Sequence, residues 1–292
     1  MAFRSSDVPN PVRWLLLAVG YLLARVGVID ARRAERTTDL AWPRIVTGIA
    51  RMSKSAADVA MVGIALGPAA IAGVGLATPY WGLAFAVGGG VAGATISLVS
   101  QRYSGGTAAG LSRAVTTSGV IVALILLPLA AVYGVGAERL IALVGDDAAA
   151  IAFGADYLRV VAVGVPLAGL NLIGSRTLVG ADDAWTPMVL RAGGAVVNVA
   201  LNAVLLFVLE LGVVGAAIGT VVANALVLAA FGIGFTVGRL PLIGTFPVTI
   251  SIAWPFVTGG EIRDVLTIGL PLVFTNVARR AAQFPMLAIV AL

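Results

Sequence analysis

VAMVGIALGPAAIAGVGLATPYWGLAFAVGGGVAGATISLVSQ, Val59–Gln101, contains no charged residue. As one α-helix it would rise roughly 60 Å at ~1.5 Å per residue, about twice the ~30 Å hydrocarbon core of a bilayer. The run must therefore fold back, and Gly67-Pro68 is the natural turn, since glycine permits the bend and proline opens a helix well. Two membrane-spanning helices are predicted, about Leu40–Leu66 and Ala70–Gln101.

The whole chain agrees with lipid as its solvent. Of 292 residues, 60% are hydrophobic and 11% charged, and the mean hydropathy is +1.03, too apolar for a wetted surface. Cysteine and histidine are absent, which excludes disulfide staples, thiol nucleophiles, histidine bases and zinc sites of the His/Cys kind. The net charge of +5 is scattered singly at the ends of apolar runs, a pattern of membrane orientation and not of nucleic-acid binding. Glycines such as the pairs Gly63/Gly67 and Gly215/Gly219 have the spacing of helix contacts, with simple bends as the other reading.

Charges bound four further spans: Ala114–Ala137, Ala155–Leu178, Trp185–Leu209 and Leu211–Gly238. The uncharged stretch Leu240–Gly260 is broken by Pro241, Pro247 and Pro255 and reads as a surface connector. A seventh span begins near Ile262 and is still apolar at Leu292, so the chain is expected to be truncated. Ahead of the bundle, Val12–Ile29 is apolar apart from Arg13 and Arg25 and reads as an interfacial helix, in preference to an additional span.

Arg32, Arg33, Arg36, Arg44, Arg102, Arg113, Arg239 and Arg263 gather on one side of this arrangement. Arg176 and Arg191, read as belonging to the loop between the fourth and fifth spans, fall there too. The opposite side carries Arg139 against Glu138, Asp146, Asp147 and Glu210. By the positive-inside rule the N-terminus is cytoplasmic.

PRIVTGIAR from Pro43 returns as PLVFTNVAR from Pro271, with Pro, Thr, Ala and Arg in the same places. Duplication is one explanation and chance similarity between apolar helices the other. An even number of spans separates the copies, which makes the repeat parallel. In this register Asp58 aligns with Met286.

Ionisable groups inside a span cost roughly 2.5 to 3.5 kcal/mol, so they face a cavity or a partner. Lys54 and Asp58, one turn apart, either neutralise each other or form a cation or proton site. Asn198 and Asn202 share a face of the fifth span, and Thr220 and Asn224 lie on the sixth; their oxygens suit a hard cation or simply bond helix to helix. Tyr157 is an interface anchor or a cavity hydroxyl. Pro43, Pro128 and Pro166 are candidate helix kinks. Enzymatic readings fare poorly. A prenyltransferase would need two acid clusters for Mg²⁺, whereas only Asp182 and Asp183 adjoin, and the GxxxxGK phosphate loop is missing.

GADDAWTPMVLRAGGAVVNVALNAVLLF (180–207), LGVVGAAIGTVVAN (211–224), ADVAMVGIALGPAAIAGVGLATP (57–79) and IGLPLVFTNVA (268–278) together resemble the multidrug and toxic compound extrusion (MATE) family over about Leu40–Leu292. The resemblance implies an all-α integral membrane protein: the first six-helix lobe of a two-lobe, twelve-helix parallel-repeat transporter, plus the first helix of the second lobe. Segments 1–39 would be a cytoplasmic N-terminal segment, 40–238 the lobe, 239–261 the cytoplasmic connector and 262–292 the truncated helix.

The function so implied is cation- or proton-coupled export of small organic, mostly cationic, substrates across the plasma membrane, by a protein monomeric at full length. No enzymatic activity, cofactor or nucleic-acid partner is expected, and membrane lipids surround it. The resemblance places the coupling site at Asp58, Asn198, Asn202 and Thr220, with Tyr157 and Lys54 in the cavity and Pro43 as a kink. Asp58, Asn198 and Thr220 would hold the metal if Na⁺, and not H⁺, is the coupling ion. Asn202 stands where the family has a second carboxylate, which lowers the negative charge available to a cation. A lipid-linked oligosaccharide flippase of the same superfamily is the nearer alternative, although the only arginine counted well inside a span is Arg51, with its repeat partner Arg279. A non-transporting half that assembles with a partner is the alternative of another class.

Overall fold

The computed structural model describes residues 11–241, 243–251 and 257–281. The main helices are α1 (Pro11–Arg25), α2 (Ala31–Leu66), α3 (Pro68–Ser104), α4 (Ala108–Ala142), α5 (Ala148–Val161), α6 (Gly164–Gly180), α7 (Trp185–Ala203), α8 (Gly212–Val237) and α9 (Gly259–Ala281). The predicted turn is present. Gly67 has φ +84°, a left-handed value that glycine adopts freely, and Pro68 takes the first position of α3.

α2 begins nine residues before the predicted Leu40. Asp30 caps it, its carboxylate accepting from the backbone N–H groups of Arg32 and Arg33. The ARRAERTTDL segment is polar but made largely of helix formers, so the helix continues past the apolar run that marked its expected start. At ~1.5 Å per residue, α2 rises about 54 Å and outruns a ~30 Å core. Its extra length carries α1, which packs along it through Gly20 against Ala34 and an Arg13–Asp39 ion pair of 2.9 Å. α1 itself rises about 22 Å, short of a crossing.

Among the described residues, α3, α4, α7 with its continuation and α8 are long and apolar enough to cross a membrane, and α5 with α6 makes a fifth crossing if counted as one bent span. The predicted fourth span is thus broken, by 52°. Pro166 lies in the first turn of α6 and has no N–H to offer the carbonyl of Ala162, so the ladder lapses where the break occurs. α2 has the length but not the composition, because Arg51, Lys54 and Asp58 sit in its apolar half.

α3 is the centre of the bundle, packed by α4, α5, α6 and α9. Its approach to α5 is backbone to backbone. A Cβ on Gly73 would fall 2.5 Å from the Ala150 carbonyl oxygen, and one on Gly154 2.7 Å from that of Gly73. Pro43 and Pro271 both lie inside continuous helices. In each copy of the repeat the threonine hydroxyl donates to the proline carbonyl one turn back, Thr47 to Pro43 at 2.8 Å and Thr275 to Pro271 at 2.9 Å.

The connector is more than a surface strap. After a short hairpin, Arg239–Leu240 against Gly244–Thr245, Phe246 is buried edge-on against Phe235, with ring centroids 5.4 Å apart. Ile250 N–H then donates to the Phe235 carbonyl and Ser251 N–H to the Ser112 hydroxyl at 3.2 Å. Val248 and Ile250, two positions apart on the connector, pack against the core. Pro255 and residues 282–292, including Met286, lie outside the described residues.

One charged cluster joins α9 to the rest. Glu261, buried, receives Arg102 of α3 at 2.7 Å and Arg113 of α4 at 3.7 Å, and Arg102 also reaches Asp264 at 3.5 Å.

Candidate functional site

α2 and α7 run parallel and in register. Near their starts Trp42 stacks on Trp185, 143 positions on, with ring centroids 5.6 Å apart. Deeper in, Asp58 meets Asn202, 144 positions on. The seam between them therefore keeps a nearly constant offset, and the polar residues predicted on each helix arrive at one level.

At that level four helices bring a network together. The Lys54 ammonium donates to Asp58 Oδ2 at 2.5 Å and reaches Thr220 Oγ1 of α8 at 3.5 Å. Asn202 Nδ2 donates to the other carboxylate oxygen, Asp58 Oδ1, at 2.8 Å and to Asn198 Oδ1 at 3.3 Å. Asn198 Nδ2 in turn donates to Thr220 Oγ1 at 3.1 Å. Tyr157 of α5 places its hydroxyl against Thr220, within electrostatic reach of Asp58. All six predicted coupling and cavity residues are thus brought together, and Pro43 stands apart, in the α2 turn beside Trp42.

The network runs further than predicted. Asn224 Nδ2 donates to the Thr220 carbonyl at 2.8 Å, and Asn171 of α6 donates to the Asn224 carbonyl at 2.9 Å. Asn171 was overlooked because a single amide in GLNLIG has no partner at helical spacing. Gly219 was singled out only as a small residue. A Cβ there would lie 2.0 Å from Asn202 Oδ1, so its hydrogen is what admits the amide between α7 and α8.

Two local features set the site's shape. α7 passes into a π-helix over Val204–Val208, two positions beyond Asn202, a distortion common near functional positions. Asn198, Asn202 and Thr220 are buried, whereas Lys54 and Asp58 keep side-chain exposures of 23% and 16%, so the ion pair is the part of the network open to exchange.

Electrostatically the network is self-compensated, one ammonium against one carboxylate. Both Asp58 oxygens are engaged by donors, Lys54 on one side and Asn202 on the other. A metal ion would have to displace the tethered ammonium to reach the only carboxylate in the network. A proton needs only the carboxylate.

Arg176 and Arg191 require a correction. They lie in no loop: α6 runs to Gly180 and α7 starts at Trp185, so both arginines are inside helices, and Arg51 is not the only one in that position.

A family model described as MatE matches residues 43–204. No curated protein matches the chain. Among solved structures, a MOP superfamily transporter from Pyrococcus furiosus, described as having a binding pocket of reversed polarity, superposes with a TM-score of 0.76 at 22% identity, over 86% of this chain and 54% of that one. A MATE protein in complex with MaD3S gives 0.74 at 24% identity, over 86% and 55%. The outward-facing conformation of a multidrug resistance MATE family transporter gives 0.73 at 23%, over 86% and 54%. The chain thus spans about half the length of the solved structures it matches.

Proposed function

The chain belongs to the MatE family, and from that premise we propose that it is the ion-coupled lobe of a secondary multidrug exporter, driven by protons through the Lys54–Asp58 pair. The observation that carries this reading is the 2.5 Å contact between those two groups, held inside a helix bundle by Asn202 and, through Asn198, by Thr220. A proton arriving on Asp58 removes its charge and with it the hold on the ammonium. Lys54 is then a cation without its counter-ion in a poorly solvated place, which favours whichever arrangement lets it reach water. That difference between two states is what a coupling ion must supply to bias the direction in which a cavity opens.

Na⁺ fits this donor set less well, for the reason given by the occupied carboxylate. We place the protein in the plasma membrane with its N-terminus cytoplasmic, from the arginines at the matching span ends, and take small organic cations as its substrates. Ethidium efflux at equal expression in cells carrying the intact transporter is the test. Asp58→Asn is expected to abolish efflux, and unchanged efflux would remove Asp58 from the mechanism. In proteoliposomes, transport driven by a Na⁺ gradient with no pH gradient would replace the proton by the metal.

A further inference from the structure

The mouth of the α2/α7 seam carries charge that no carboxylate among the described residues balances. On the register set by Trp42–Trp185 and Asp58–Asn202, Arg191 of α7 is level with residues 47 and 48 of α2, between Arg44 and Arg51. Arg44, Arg191, Arg51 and Lys54 therefore succeed one another in steps of about 5 Å at ~1.5 Å per residue. Arg176 of α6 closes the group, within electrostatic reach of both Arg44 and Arg191, and Arg191 is within reach of Arg51.

Among the described residues, none of these four arginines makes a hydrogen bond or ion pair with a carboxylate. The acids that flank the ladder are both engaged, Asp39, five residues before Arg44, by Arg13 and Asp58 by Lys54. Arg36–Asp182, at 3.9 Å, lies outward of the Trp pair and is exposed on both sides. Arg44 and Arg51 are open to the surroundings, and Arg176 and Arg191 are half-buried. The half-buried pair Arg176 and Arg191 raise each other's cost, the exposed Arg44 and Arg51 add like charge beside them, and side chains that only marked orientation would not need to gather from three helices. The planar donor fork of arginine matches phosphate oxygens, two bonds at a time.

We propose that Arg44, Arg51, Arg176 and Arg191 form a binding site for a phosphate-bearing anion, a lipid headgroup or a soluble phosphate, at the cytoplasmic mouth of the α2/α7 seam. The site is separate from the Asp58 network, and its occupancy is read by binding, so it stands or falls independently of drug export. An anion there would cancel the excess charge below Lys54.

The test uses the purified chain in non-ionic detergent. Binding of dioleoylphosphatidic acid against dioleoylphosphatidylcholine is followed by native mass spectrometry, and inorganic pyrophosphate by titration calorimetry. The acid lipid is expected to bind at least about tenfold tighter than the zwitterionic one, and the double change Arg51→Gln and Arg191→Gln to remove about that factor. The control Arg32→Gln with Arg33→Gln takes two equal charges from the exposed start of α2 and should leave binding unchanged. Pyrophosphate that binds and displaces the lipid assigns the site to soluble phosphates; lipid binding alone assigns it to a headgroup. Replacing Arg51 and Arg191 by lysine keeps the charge and the fold but loses the fork, and is expected to weaken binding. Absence of binding by both probes, or an equal loss in the Arg32/Arg33 control, overturns the proposal.

Discussion

Two ionic clusters between the helices of this molecule are built on opposite plans. At the α3/α4/α9 junction, Glu261 and Asp264 are met by Arg102 and Arg113. In the α2/α7 seam, a single lysine meets a single aspartate, and the remaining partners are neutral amides and hydroxyls. Arginine keeps its proton at any relevant pH, so neutralising one acid of the junction leaves a second still paired. The seam has no such reserve, and one proton dissolves its only ion pair. The junction holds α9 in place; in the proposed mechanism the seam is the part that switches.

Substitutions can break that contrast, and the largest effect should fall on the junction. Glu261→Ala leaves Arg113 without its carboxylate and Arg102 with Asp264 alone, and is expected to destabilise the protein by about 3 kcal/mol, the low end for a broken buried pair. A clear fall in the thermal unfolding midpoint in detergent would show it; a midpoint equal to wild type would make the junction ornamental. Next comes Gly219→Ala, which drives a methyl into the Asn202 amide and should cost about 1 to 3 kcal/mol, with efflux lost alongside stability.

Asp58→Asn sharpens the contrast from the other side. Because the pair is partly exposed and asparagine preserves the shape, the expected loss of stability is about 1 kcal/mol or less, alongside the loss of efflux already stated. A midpoint shift as large as that of Glu261→Ala would show the seam to be structural. The smallest change should come from Thr47→Val, which removes one side-chain bond to a helix carbonyl and is worth about 0.5 to 1 kcal/mol. Thr275→Val should match it if the two repeat copies are equivalent in the fold.

Much of this was legible in the residues. The charge-free run and Gly67-Pro68 located the turn between α2 and α3, because lipid allows few ways to arrange an apolar stretch of that length. With Arg51, Lys54 and Asp58, however, α2 is less apolar than a crossing requires. The residues of the seam could be chosen in advance, partly from helical spacing and partly from the family resemblance. What escaped depends on contacts between distant segments. Glu261 reads as an ordinary flank of a span until Arg102 and Arg113 are seen against it. Arg176 and Arg191 read as loop charges although the predicted spans Ala155–Leu178 and Trp185–Leu209 already contained them, because an arginine near a span end looks like a flanking charge. The early start of α2 was missed because a polar helix leaves no hydrophobic trace. Pro166 was flagged as a kink, but only the bundle shows that the chain breaks there.

The constant offset between α2 and α7 has a practical use. With no native cysteine in the sequence, any thiol introduced here reports alone. Pairs placed 143 or 144 positions apart along the seam would act as marks on a ruler, cross-linking while the two helices stay level. Loss of cross-linking in some pairs and its gain at a shifted spacing would measure, in residues, how far one helix slides past the other as the protein works.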